Sequence, residues 1–160
     1  MIIRTKLSKQ DFIKLNFTML YIKPVIIIFT IFIGLLFLVS IAGLIFSDID
    51  TTSQVILSFT MLIFLPLVTY INSIRNYKAS NRITEPFEYS FDETELSIKG
   101  ESFAAQLSWD KIYKVTLLKN WLLIWQSKQL ANPIARKDIR EEQIAEIKLL
   151  LDRVKVKNNL

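Results

Sequence analysis

Two unbroken apolar runs dominate the first half of the chain, and alternating apolar and polar positions take over in the second half. Pro24 to Phe46 contains no charged residue and would extend about 34 Å as a helix, while Val55 to Ile74 would extend about 30 Å. Each is long enough to cross the hydrocarbon core of a bilayer. As buried core helices they make little sense, because the rest of the chain is too short to wrap two helices that are apolar all round. A secretory signal peptide, with Ser40, Ile41 and Ala42 as a crude small-residue cleavage site, fits less well. The region before Pro24 is long, and the apolar run exceeds an h-region of about 7–15 residues. The pattern therefore predicts transmembrane helices over 24–46 and 55–74, joined by the short loop Ser47 to Gln54. Gly34 and Gly43 form no Gly-x-x-x-Gly pair, so nothing signals helix dimerisation. Pro66 should loosen or kink the second span, and Tyr70 and Tyr77 suit a headgroup level.

Before the first span, Met1 to Leu7 is compatible with a short strand. Ser8 followed by Asp11 has the spacing of a helix N-cap with an acidic third position. Phe12, Leu15 and Met19 then share a face, giving either an interfacial amphipathic helix or a plain extension within a juxtamembrane segment 1–23. After Pro86 the period becomes two. Phe87, Tyr89 and Phe91 alternate with polar residues, Asp92 to Thr94 supply a turn, and Leu96 and Ile98 continue the hairpin. Gly100 breaks the run before Phe103, Ala105, Leu107 and Trp109. Ile112 to Leu118, Trp121 to Gln126 and a short piece near Leu130 to Ile134 read as further strands. From Ile139 the period is helical, with Ile144, Ile147, Leu151 and Val154 on one side. The expected fold class is a membrane α-helical hairpin plus a small α+β domain, 85–160. Antiparallel strands closed by one C-terminal helix match a reduced pleckstrin-homology-like sandwich.

Charge changes the picture by its placement. The formal balance is +5, a value that would suit nucleic-acid binding if it formed one patch. Instead Arg4, Lys6, Lys9, Lys14 and Lys23 precede the first span, Arg75, Lys78 and Arg82 follow the second, and the loop between carries only Asp48 and Asp50. That asymmetry orients both termini toward the cytoplasm. It argues for a lipid bilayer as partner and against nucleic acid.

Candidate chemistry is sparse. The chain has no Cys and no His, which removes disulfides, thiolate metal sites and the commonest neutral-pH base. Asp92, Glu93 and Glu95 cluster, but on a hairpin turn and without calcium-loop spacing, so a solvated turn is expected. Ser108, Asp110 and Lys111 are near neighbours whose side chains diverge at a strand end, which does not suit a Ser–Lys pair. The first hairpin is acidic, unlike a phosphoinositide site, and no Gly-rich phosphate loop is present. No catalytic residue, metal ligand or cofactor is assigned.

One surface stands out. If Lys119 and Asn120 form a two-residue hairpin loop, Leu118 lies opposite Trp121, Thr116 opposite Leu123 and Lys114 opposite Trp125, all on one face. The other face, with Tyr113, Val115, Leu117, Leu122 and Ile124, is apolar and should be core. By elimination the first face points outward, making Leu118, Trp121, Leu123 and Trp125 the candidate binding residues. What such a patch meets is the bilayer interface, the N-terminal segment of the same chain or a partner; the competing expectations are that the C-terminal helix covers it, or that a three-residue loop exchanges the faces.

Tyr89, Phe91 and Asp92, then Leu107, Ser108 and Trp109 before Ile112, the Lys119 to Trp121 turn and the stretch Pro133 to Ile139 resemble the YcxB-like family of bacterial membrane proteins. The resemblance implies a bacterial cytoplasmic (inner) membrane and little about activity. Ala135 stands where the family pattern has Pro, and Arg140 where a Ser or Thr cap is usual, leaving Asp138 or Glu141 as substitute caps. Together these readings lead to a non-enzymatic, membrane-anchored interaction module that displays its cytoplasmic domain to an unknown protein partner or to a second copy as a homo-oligomer. The alternative is an immunity or accessory membrane protein, protecting against a toxin or serving a transporter, that acts through its hairpin.

Overall fold

The computed structural model describes residues 1–46 and 50–160, with the side chains of Asn81 and Arg82 outside the description. Asp48 and the first part of the expected inter-helix loop therefore lie outside the described residues. The chain forms two units, one of Met1–Asp11 together with Ser80–Leu160 and one of Phe12–Ala79.

The first unit is α+β. A four-stranded antiparallel sheet runs in the order β1 (Ile2–Thr5), β2 (Phe87–Phe91), β3 (Glu95–Lys99), β4 (Ala104–Ser108). A three-stranded antiparallel sheet follows, β5 (Lys114–Leu117), β6 (Trp121–Trp125), β7 (Ala131–Ala135). Single 3₁₀ turns at Trp109–Lys111 and Arg136–Asp138 link these elements to their successors. Helix α5 (Glu141–Arg153) ends the domain.

Its core joins both sheets and the helix: Ile3, Tyr89, Phe91, Leu96 and Ile98 meet Val115, Leu122, Ile124 and Ile134, with Ile144, Ile147 and Leu151 from α5. Period-two burial in β3 and three- to four-residue steps in α5 account for which side of each element faces in. Gly100 opens the β3–β4 turn because a Cβ there would meet the Phe103 ring at 3.0 Å and Glu85 Oε2 at 3.2 Å.

β1 revises the expected domain limits. Ile3 pairs with Tyr89 and Arg4 with Glu88, so the beginning of the chain belongs to a sheet whose other strands follow the second long helix. Residues 1–23 are not one juxtamembrane segment, and 85–160 is not the whole domain.

The second unit is helical: it holds α1 (Lys9–Tyr21) from Phe12 onward, α2 (Pro24–Phe46) and α3 (Thr52–Ala79), and the single-turn α4 (Asn81–Thr84) follows in the chain. α1 opens on the expected reciprocal cap, Ser8 N–H donating to Asp11 Oδ2 at 3.2 Å and Asp11 N–H to Ser8 Oγ at 3.2 Å. α2 and α3 are long and apolar enough to cross a membrane, and only 6% of the most apolar stretch of each is buried. A core helix of a soluble protein would be mostly covered. The shielded positions recur at three- and four-residue steps, Ile26, Thr30, Ile33, Phe37 in α2 and Ser58, Leu62, Leu65, Thr69, Ser73 in α3. This spacing forms one antiparallel seam. Phe37 packs on Phe59 with ring centroids 5.9 Å apart, and Thr51 Oγ1 donates to Ser40 O at 2.7 Å where the seam ends. Small Gly43 admits the Thr51 methyl, which an added Cβ would meet at 3.2 Å.

Candidate binding surface

The β5–β6 connection is the expected two-residue loop. Leu118 N–H donates to Trp121 O at 2.8 Å, and the register places Thr116 opposite Leu123 and Lys114 opposite Trp125. Leu118, Trp121, Leu123 and Trp125 thus share a face, as expected. Their exposure differs from expectation. Trp121 is 2% exposed, Leu123 0% and Trp125 4%, with Leu118 half-buried. This row is closed to solvent, not presented outward.

Its closure is not the work of α5. The helix packs on the opposite face, against Val115, Leu122, Ile124 and Ile134. β6 is therefore buried on both faces, all five residues of Trp121–Trp125 being buried. A strand of that kind reads as a continuous apolar run, and Trp-Leu-Leu-Ile-Trp is one. That was the available signal.

The polar atoms on this face are unequally satisfied. Trp125 Nε1 donates to Thr116 Oγ1 at 2.8 Å, and Lys114 Nζ sits 5.3 Å from the centroid of a Trp125 ring. Trp121 Nε1 is buried and finds no acceptor among the described residues. Tyr113, assigned to the core by alternation, is 48% exposed. Its N–H donates to Trp125 O at 2.8 Å although Lys114 already pairs with Trp125, so two residues oppose one and the alternation slips there.

The other candidates are structural. Glu93 pairs with Arg153 of α5 at 3.0 Å, Asp92 Oδ1 accepts the Glu93 N–H at 2.7 Å, and Asp92 O accepts Trp109 Nε1 at 3.0 Å. The acidic turn thus closes β2–β3 and ties it to the end of the helix. Among the described residues no group of three or more potential metal ligands gathers. Asp110 and Lys111 are exposed on the 3₁₀ turn that follows Ser108. Two shallow clefts of about 310 and 330 Å³ share Pro86 and Glu101. Arg4 and Lys99 balance Glu88 and Glu101 in the first, and Lys6 faces Glu85 and Glu101 in the second, so both are of mixed charge.

The start of α5 uses a cap that neither substitute candidate supplies. Gln143 Oε1 accepts the Arg140 N–H at 3.0 Å. Asp138 instead accepts Thr5 Oγ1 at 2.5 Å, and Glu141 pairs with Arg136. Asp11 also binds Lys137 Nζ at 2.6 Å. Burial raises the Asp11 carboxyl, but hydrogen bonds from Lys137 and Ser8 outweigh it and hold its pKa below the ordinary Asp value.

No protein-family model matches the chain, and neither a curated protein nor a solved structure matches it.

Proposed function

We propose that the chain is a non-enzymatic, membrane-anchored interaction module of a bacterial cytoplasmic membrane. In this reading α2 and α3 span the bilayer and tether a pleckstrin-homology-like domain in the cytoplasm, as in the YcxB-like proteins the sequence resembles. The observation that carries it is the pairing of β1 with β2 across the hairpin. A domain closed by strands from both flanks of two spans must have both flanks on one side of the membrane, and the basic residues around those flanks favour the cytoplasmic side. Four strands in one sheet, three in the next and a C-terminal helix support the pleckstrin-homology-like comparison. The composition, without His or Cys, and the absence of a ligand cluster among the described residues leave binding as the function the geometry serves best.

The test is crosslinking in intact membranes, mild detergent extraction and identification of what co-purifies, run beside Ile3→Asp. Ile3 is 2% exposed in the domain core, so this variant unfolds the domain and leaves the spans in place. Loss of the captured protein in the variant supports the module. Capture that persists without a folded domain would overturn it in favour of a protein acting through its hairpin.

A further inference from the structure

We infer that the outer edge of β4 is a self-association site, pairing antiparallel with the same strand of a second copy. This rests on the reading of the domain as an interaction module and names its surface and partner. Two sheets have four outer edges; two are blocked, and a third is short, charged and partly occupied. At β5, Val115 N–H donates to Lys157 O at 2.8 Å and Leu117 N–H to Asn159 Oδ1 at 2.7 Å, so the tail after α5 occupies that edge. At β7, the Leu122–Ile134 and Ile124–Asn132 pairs flank Pro133, which stands opposite Leu123. Arg136 N–H to Asn120 O and Gln126 N–H to Leu130 O fix the ladder phase. That phase turns Pro133 outward, where it has no N–H to offer, and its carbonyl accepts Tyr89 OH at 3.2 Å. At β1, a strand of only four residues, Gln143 Nε2 donates to Ile2 O at 3.3 Å and the exposed Arg4 puts a charge at the other outward position.

Among the described residues β4 has no such protection. Gly100 N–H donates to Phe103 O at 2.8 Å, so Ala105 and Leu107 spend their backbone groups on β3 while those of Ala104 and Gln106, and the Ser108 N–H, point away from the sheet; the Ser108 carbonyl caps the 3₁₀ turn that follows. Ala104 and Gln106 are exposed. From Ser102 to Trp109 there is neither a charge nor a proline. Long neutral edges are what soluble domains avoid unless they pair.

The occupant follows from the register. A two-fold axis at Gln106 places Gln106 opposite itself and Ala104 opposite Ser108 of the second copy, making about four backbone hydrogen bonds. Within each copy Lys99 adjoins Ala104 and Glu95 adjoins Ser108 on the same face. Each row across the joint therefore runs from Lys99 over two small residues to the other copy's Glu95, and no like charges align. Five residues per strand bury less than the roughly 1,000 Å² a dimer needs in dilute solution. Confinement of both copies to one membrane raises their effective concentration and offsets that deficit.

The chain has no cysteine, so single cysteines report directly in vesicles containing the full-length protein. Oxidation of Gln106→Cys should give a reductant-sensitive species of twice the chain mass, while Ser127→Cys on the β6–β7 loop should give at least tenfold less. Ala104→Cys mixed with Ser108→Cys should crosslink where neither alone does. On that mixed background Gln106→Lys, which sets like charges face to face, should cut crosslinking at least tenfold. Combining Gln106→Lys in one copy with Gln106→Glu in the other should restore it. Equal yield from Ser127→Cys, no doubled species, or indifference to the charge pair overturns the inference. An adduct of Gln106→Cys with a different protein overturns self-association while leaving the interaction module standing.

Discussion

At the scale of single residues the two tryptophans of β6 make opposite predictions. Trp125 spends its N–H on Thr116 and its ring on Lys114, whereas Trp121 buries an N–H with no acceptor among the described residues. Removing a partnered buried donor strands its acceptor, and removing an unpartnered one relieves a desolvation cost. Trp125→Phe should therefore destabilise the domain by about 1–2 kcal/mol more than Trp121→Phe, measured as the difference between their thermal unfolding midpoints. Asp11 gives a pH signature. Its folded pKa is depressed by Lys137 and Ser8, so its contribution is complete above the unfolded value of about 3.9. It is lost as pH falls through the lower folded value. Lys137 is raised by the hydrogen bond with Asp11, so its part is lost only as pH rises through that raised value. Asp11→Asn should lower the melting temperature at pH 7, and the gap to the parent should close as the pH is taken below about 4.

At the scale of elements, β1 is the testable novelty. Arg4 and Glu88 are Cα partners, and alternation from the Met1–Phe91 hydrogen bond makes theirs a non-hydrogen-bonded pair, with Cα atoms about 4.5 Å apart. Arg4→Cys with Glu88→Cys should form an intramolecular disulfide on mild oxidation and raise the domain's melting temperature. Failure to crosslink would remove β1 from the sheet. Much of this level was legible in the sequence: the two long helices, the Ser8–Asp11 cap, the Lys119–Asn120 turn and the helical period of α5 are local patterns with local causes. The partner of β1 was not, because a strand of four residues carries no information about which distant edge it completes. The burial of Trp121, Leu123 and Trp125 does not follow from alternation either. Alternation tells which residues share a face and not whether the second face is covered; only the unbroken apolar run Trp121–Trp125 pointed to burial on both sides.

At the scale of the whole molecule, sheet pairing constrains topology without reference to charge. β1 and β2 are hydrogen-bonded neighbours, and between them the chain contains two helices long and apolar enough to cross a bilayer. If both cross, the number of crossings between β1 and β2 is even and the connection between α2 and α3 is on the far side. If neither crosses, that connection shares a compartment with the domain. A single crossing would tear the sheet. Asp50, exposed just before α3, and Lys128, exposed on the β6–β7 loop, therefore decide between arrangements. With Asp50→Cys and Lys128→Cys made separately in the cysteine-free chain, a membrane-impermeant maleimide applied to sealed right-side-out cells should label position 50 and spare 128. Inside-out vesicles should reverse the result. That direction follows from the proposed orientation, in which the Lys and Arg flanks stay on the cytoplasmic side. Labelling of position 128 alone from outside would keep the hairpin and invert its orientation. Labelling of both positions from one side would show that the hairpin does not span.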